Sequence, residues 1–554
     1  MIKILNSKFY ILIAILIIAA FFRLYNITEL PPGLYPDEAM NGNNALEANW
    51  KIFYPENNGR EGLFMNIQTV FLKVLMPLSG GNPEPWMLRF PSAIFGILTV
   101  LGIYFLTKEL FRENPKSKIL NPKQIQKSND QNPKQFRISN FEFRISRSQK
   151  IALLSSFFLA TSFWHINFSR IGFRAIMAPF FLTWAVYFLL VALRTTNDEF
   201  QTSSFKFQAI AGGIFFGLGF YSYIAYRIMP LLIAIIFFYY FYQHREHAKK
   251  LWAAISIYVI AAFIIALPIG IYFLKNSADF FGRTVQVSIG VSQSPIGDLA
   301  MNTVKTLGMF NFVGDGNWRH NYAGRPELFW PVGILFVIGV ILGIRQLLKF
   351  QIPSAKLQTI SNNRNSNGQN VSNSELGFVI LFSWLIIAVL PVIISNEGLP
   401  HALRAILMAP PIFILAGLGG IWLYEKIVEK LQKYTKIPRL LLLSTFYFLL
   451  SLFIFEAYTT YFVLWGKNPN AQGAFAADYV QIGKRLNALP KELPKYVLVE
   501  AGGVNVRGIP MPTQTVMFIT DTFTPEKQKE KNIFYVLPDK FSQVPQNAYT
   551  VVIK

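Results

Sequence analysis

Two adjacent carboxylates, Asp37 and Glu38, stand in the string PDEA at residues 36–39, directly after the first long apolar run of the chain. That placement puts them at a membrane face, where a polar loop begins. A carboxylate there can take the proton from an attacking hydroxyl or hold a metal ion. A plainer role is local: Asp37 is a good N-cap for the helix that the sequence predicts over Glu38–Trp50. The two roles are compatible.

Five further segments bring basic groups to the same side. GREGLF at 59–64 carries Arg60 and Glu61, and WHINFSRIGFRA at 164–175 carries His165, Arg170 and Arg174. GFYSYIAYRIMP at 219–230 adds Tyr221, Tyr223 and Arg227. FNFVGDGNWRHNYAGRPEL at 310–328 adds Asp315, Trp318, Arg319, His320 and Arg325, and EGLPHALRA at 397–405 adds His401 and Arg404. A single interfacial arginine commonly snorkels to headgroups. A set of guanidinium forks also matches a phosphate or pyrophosphate. Arg60, Arg170, Arg174, Arg227, Arg319 and Arg404 are therefore the candidates for a phosphate clamp. Glu61, Tyr221, Tyr223, Asp315, His320 and His401 are candidates for substrate contact, and Tyr221, Tyr223 and Trp318 could stack on a sugar or form an interfacial aromatic belt. His165, on an apolar helix end, reads as structural.

These groups need a scaffold, and the composition says what kind. The chain has 554 residues, 52% hydrophobic and only 15% charged, with a mean hydropathy of +0.35. A soluble chain carries about 25% charged residues. Apolar runs at 9–22, 91–106, 151–164, 175–193, 208–221, 228–242, 251–274, 329–347, 376–395, 405–424 and 440–464 predict an all-α polytopic membrane protein of about eleven spans. No small-residue cleavage site follows the first run, which reads as a retained helix.

The net charge of +22 is distributed in a way that argues against nucleic acid as a partner. Basic residues crowd loop 107–150, segment 244–250 and loop 425–439, whereas loop 24–89 is acid-rich. By the positive-inside rule the N-terminus is cytoplasmic and the PDEA loop lies outside, with the C-terminal tail. This is the pattern of a multi-pass protein of the plasma (inner) membrane. Cysteine is absent, which excludes disulfides and thiolate metal sites.

The spans divide the chain into a membrane domain, 1–465, with external loops 24–89 and 275–328, and an external tail, 466–554. Residues 114–149 and 352–375 are low-complexity polar insertions on the cytoplasmic side. In the tail a helical pattern over 474–489 precedes apolar runs at 496–501, 515–520, 533–538 and 549–554, which predict the strands of a small α/β domain.

The stretches PDEA, GREGLFM (59–65), LRFPSAIFGILTVLGIYFLTKELF (88–111), FWHINFSRIGFRA (163–175), LGFYSYIAYRIMPLL (218–232), GDGNWRHNYAGRP (314–326) and PHALRA (400–405) resemble the GT-C superfamily of integral-membrane glycosyltransferases. The likeness is to the bacterial relatives of protein O-mannosyltransferases and of lipid A aminoarabinose transferase (glycosyltransferase family 39-like), and it covers residues 1–465. The family's longer span set and shorter cytoplasmic loops differ from this chain, most clearly at 107–150. The resemblance implies a polyprenyl-phosphate-linked sugar as donor and an acidic catalytic centre in the first external loop, which maps onto Asp37 with Glu38 beside it.

The residues and the resemblance together describe one reaction. Asp37 takes the proton of an acceptor hydroxyl as it attacks the anomeric carbon, the lipid phosphate leaves towards the arginines, and the sugar carbon inverts. The acceptor is a protein, a lipid or a glycan. No second acidic cluster is evident, so no obligatory metal is expected, although a divalent ion is an open alternative. Rival readings are a lipid-linked oligosaccharide ligase or polymerase, which needs the same phosphate site, and a transporter or flippase. The latter calls for repeated halves and mid-span charges, which the sequence lacks.

Overall fold

The structure, a computed structural model, describes residues 7–112, 145–195, 204–286, 289–291, 294–351, 368–395, 398–434 and 439–554. Most of the two expected insertions falls outside these residues. Their described ends are helical: Ser146 forms a capping box with Gln149 at the start of Arg147–Thr161, and Gly368–Ile393 is one helix.

Each of the eleven apolar runs coincides with a helix. Eight helices among the described residues are long and apolar enough to cross a membrane. The runs at 9–22, 151–164 and 208–221 lie in shorter helices, α1 (Ser7–Leu24) among them. The outer helices show lipid-type surfaces: Ala248–Lys275 exposes Val259, Ile260, Phe263, Ile264 and Leu274. The central helix, Ala409–Tyr434, is buried over its apolar half and packs on Trp330–Gln351. That approach needs glycine, because a Cβ at Gly339 would lie 2.0 Å from the Leu415 carbonyl oxygen.

The first loop is itself a folded unit. It contains α2 (Pro36–Glu47), a short antiparallel pair β1 (Phe53–Tyr54) and β2 (Arg60–Glu61), and α3 (Leu63–Leu75), before α4 (Pro85–Leu110) re-enters the bundle. At the opposite end of the bundle, Arg194 pairs with Glu109 at 2.8 Å and Arg147 with Glu425 at 3.0 Å. Arg147, at the described end of loop 107–150, thus meets the start of loop 425–439.

The tail folds as expected in outline. A helix spans Ala477–Ala488, and β3 (Lys495–Val499) lies between β4 (Ile533–Val536) and β5 (Tyr549–Ile553) in a parallel sheet. One expected strand is a helix instead: residues 515–520 belong to α5 (Gln514–Thr520), every residue of which is buried. Burial on all sides suits either element, and packing against α2 and Ala477–Ala488 decided it. The docking is close. A Cβ on Gly33, whose φ is +75°, would lie 2.5 Å from the Phe475 carbonyl oxygen. The Thr515 hydroxyl donates to the Leu34 carbonyl at 2.9 Å, and Asn43 donates to the Gln514 side chain at 2.9 Å.

Candidate active site

The helix that carries Asp37 starts two residues earlier and ends three residues sooner than the sequence reading, at Pro36–Glu47. Pro36 occupies the first turn, where its missing N–H costs nothing. The N-cap is Tyr35, and no side chain caps the helix, so Asp37 does not act as the cap.

Adjacent residues on a helix point about 100° apart, and this separates the two carboxylates. Asp37, Asn41 and Asn44 follow at i, i+4 and i+7 and share a face, which meets Arg60. Asp37 opens into a cavity of about 340 Å³, within the usual range of ligand pockets. Glu38 points the other way. It is fully buried, its carboxylate takes Nε and Nη2 of Arg89 at 3.1 and 3.2 Å, and its Oε1 accepts the Gly172 N–H at 2.6 Å. All its bonding capacity on the side facing the bundle is used, which corrects its place beside Asp37 in the chemistry. Glu38 anchors α2.

Five of the six expected arginines line the cavity with Asp37: Arg60, Arg174, Arg227, Arg319 and Arg404. Glu61, Tyr223, His320 and His401 line it as well. The sixth, Arg170, is fully buried elsewhere and donates to the carbonyls of Phe22, Asn26 and Leu30 at 3.0, 3.1 and 2.8 Å. It closes the C-terminal end of α1, a structural role rather than a phosphate contact. Tyr221 is also removed from the site, since its hydroxyl donates to the Ile265 carbonyl at 2.8 Å and ties two helices together. His165 is structural, as expected: buried, with Nδ1 2.7 Å from Nη2 of Arg23.

The cavity arginines are not equivalent. Arg60 is spent on Asn41 and Asn44 at 2.7 and 2.6 Å. Burial, then the neighbouring Arg174 charge, lowers its pKa to about 10, so it remains a cation at neutral pH. Arg174 Nε and Arg227 Nη2 share the Glu61 carboxylate at 2.7 and 3.2 Å, and Arg227 lies against the rings of Phe273 and Phe280. Glu61 therefore orders two cations rather than meeting substrate alone. Arg319 stacks on the Tyr35 ring, its guanidinium carbon 3.8 Å from the centroid. Burial first, and then the Asp37 charge, raises the Tyr35 phenol, so it stays protonated beside Asp37.

Asp315 sits just behind the wall. It accepts N–H groups from Asn317 and Ala402 at 2.8 and 2.9 Å and holds His320 Nδ1 at 2.9 Å. It thus staples loop 310–328 to segment 398–405 and orients the histidine, instead of reaching substrate. Trp318 offers its carbonyl to Trp465 at 2.9 Å and packs on Tyr322.

Sequence reasoning missed Tyr35, Asn41, Asn57 and Asp279 as cavity residues. Asn57 Nδ2 donates to Asp37 Oδ1 at 2.5 Å. Asn41 was accessible through its i+4 spacing from Asp37, but Asn57 and Asp279 carry no signal that separates them from other loop residues.

No family model matches the chain, and no curated protein matches it. Solved structures do. The archaeal oligosaccharyltransferase AglB from Archaeoglobus fulgidus, in complex with an inhibitory peptide and a dolichol-phosphate, is similar with a TM-score of 0.51 at 13% identity. The match covers 93% of this chain and 63% of that one, so this chain spans less than two thirds of its length. ArnT from Cupriavidus metallidurans bound to undecaprenyl phosphate has a TM-score of 0.47 at 11% identity, covering 98% of this chain and 92% of the other. The S. cerevisiae protein O-mannosyltransferase Pmt1-Pmt2 complex bound to its sugar donor has a TM-score of 0.34 at 14% identity, covering 50% and 34%. At these identities the AglB likeness shows the fold alone: this chain shares the multi-pass architecture of that structure.

Proposed function

We propose that the chain is a membrane glycosyltransferase of the GT-C type that moves a sugar from a polyprenyl-phosphate donor to an acceptor hydroxyl. The observation that carries this reading is the convergence of the Asp37 carboxylate with five arginines in one cavity. Asp37 takes the acceptor proton, held in place by Asn57. The acceptor oxygen bonds to the anomeric carbon as the carbon–oxygen bond to phosphate breaks. The electron pair leaves with the phosphate, whose charge Arg319 and Arg404 meet, backed by the Glu61-ordered pair Arg174 and Arg227. One displacement inverts the sugar carbon. Tyr223 flanks the sugar. The chain's own residues suffice for this step, with no obligatory metal.

Charge asymmetry supports an outer-face position of this cavity and the docked tail on the cytoplasmic membrane. The polar acceptor, protein, lipid or glycan, arrives from outside, and the donor's lipid stays in the bilayer. The same phosphate clamp would serve an oligosaccharide ligase. The test is transfer from a labelled polyprenyl-phosphate sugar by purified protein, with the product anomer read by NMR. Inverted product supports the reading, and no transfer from any lipid-phosphate sugar overturns it.

A further inference from the structure

We propose that Asp315, His320 and His401 form a divalent-metal site of the zinc and cobalt type in the wall of the cavity. Each offers one ligand atom, and these atoms lie within 4.8 Å of one another. Asp315 Oδ2 is 2.9 Å from His320 Nδ1 and 3.9 Å from His401 Nδ1. The ligand–ligand edge of a tetrahedral zinc site is about 3.4 Å for bonds of about 2.1 Å, so the two separations straddle what an ion needs. Seating it requires sub-ångström shifts of the rings, with the ion replacing the Asp315–His320 hydrogen bond.

The donors are held ready. Asp315 is fixed by the Asn317 and Ala402 N–H groups, and its own N–H donates to Glu327 at 2.9 Å. Asn321 Nδ2 closes the same loop on the Arg325 carbonyl at 2.6 Å, and Asn167 holds the Arg319 carbonyl at 2.7 Å. Such outer contacts orient ligands in metal sites. The two imidazole rings stack with centroids 4.8 Å apart, so both can turn a nitrogen towards the same point. Two nitrogens and one carboxylate favour zinc, cobalt or nickel over magnesium or calcium.

Both histidines line the cavity while Asp315 lies behind them. Three protein ligands would leave a fourth coordination position, and Arg319 and Arg404 line the same cavity as the two histidines. An anionic oxygen fits there. The role of that oxygen rests on the transfer reading, whereas the metal site itself does not, and the ion adds to the clamp without being required for it.

The experiment uses the full purified chain, stripped with chelator and titrated with Co²⁺ while visible d–d absorption is followed. One Co²⁺ per chain, displaced by Zn²⁺, is expected. His401→Gln and His320→Ala should each weaken binding by at least about tenfold, with metal-free melting curves showing that at least one of them is folded. The chain has five histidines, so a His244→Ala/His247→Ala variant guards against an adventitious site and should bind normally. The inference is overturned by absence of saturable binding, by binding that survives in the folded His320 or His401 variant, or by binding that is lost with His244 and His247. An Asp37→Asn protein should keep the metal and lose transfer, so failure of the metal site and failure of the transferase reading are told apart.

Discussion

Arg89 holds Glu38 by two parallel bonds, Nε to Oε1 at 3.1 Å and Nη2 to Oε2 at 3.2 Å, with both side chains closed to solvent. The remaining Arg89 donors reach the carbonyls of Pro31 and Gly33. The pair thus ties the first turn of α2 to α4, and the aim of Asp37 depends on it. Removing one partner leaves a buried uncompensated charge, which costs about 3–5 kcal/mol. Arg89→Ala should therefore lower the melting temperature sharply and lose activity with stability. A melt unchanged in Arg89→Ala would show that the pair does not anchor α2.

Asp37→Asn should behave in the opposite way. The side chain makes no ion pair among the described residues, and Asn retains an oxygen for the Asn57 donor. Melting should barely change while transfer falls by about a hundredfold or more, the scale of a lost general base. Full activity in a well-folded Asp37→Asn protein would remove Asp37 from the chemistry.

Among the arginines, Arg319→Ala should damage donor use most cleanly. Its guanidinium rests on Tyr35 rather than on a carboxylate, while Arg174 and Arg227 share Glu61. A charge-assisted contact of about 1.5–3 kcal/mol corresponds to about tenfold or more in rate at limiting donor. Lys should rescue only in part, because the planar fork is lost. Kinetics at limiting donor that match wild type would make Arg319 a stacking partner of Tyr35 and nothing more.

The docked tail offers a contrast between two contacts. Arg507 pairs with Glu47 at 2.6 Å on the surface, with 39% of its side chain exposed. Such a pair contributes about 0.2–1 kcal/mol. Phe518 is fully buried, and its ring fills the space a Cβ on Gly42 would occupy. Phe518→Ala should cost about 3–5 kcal/mol and reduce transfer, since the cavity left behind lies under α2. Arg507→Ala should leave both close to wild type. Equal effects of the two changes in melting and transfer assays would refute the buttress.

Orientation is testable by protease shaving of sealed vesicles and by reporter fusions. Loop 107–150 is expected inside and residues 466–554 outside. A cytoplasmic tail would invert the whole assignment, because the tail packs on the loop that bears Asp37.

What the sequence determined by itself was the class of molecule and many of the polar residues that line the cavity. Long apolar runs admit few structures in a bilayer, because backbone groups there must bond within their own helix. The segments around Asp37, Arg174, Arg227, Arg319 and His401 were legible because polar residues at the ends of apolar runs stand out from their surroundings. Only tertiary structure sorted those residues by role. Asp37 and Glu38 read as one pair until the turn of α2 sent one to the cavity and the other to Arg89. Arg170 and Arg174, four residues apart, parted where a carbonyl cluster at the end of α1 captured the first. Residues 515–520 read as a strand and fold as a helix, for burial on every side erases the periodicity that separates the two. Partners come from segments distant in the chain, as Asp315 and His401 do, and local pattern holds no record of which donor will meet which acceptor.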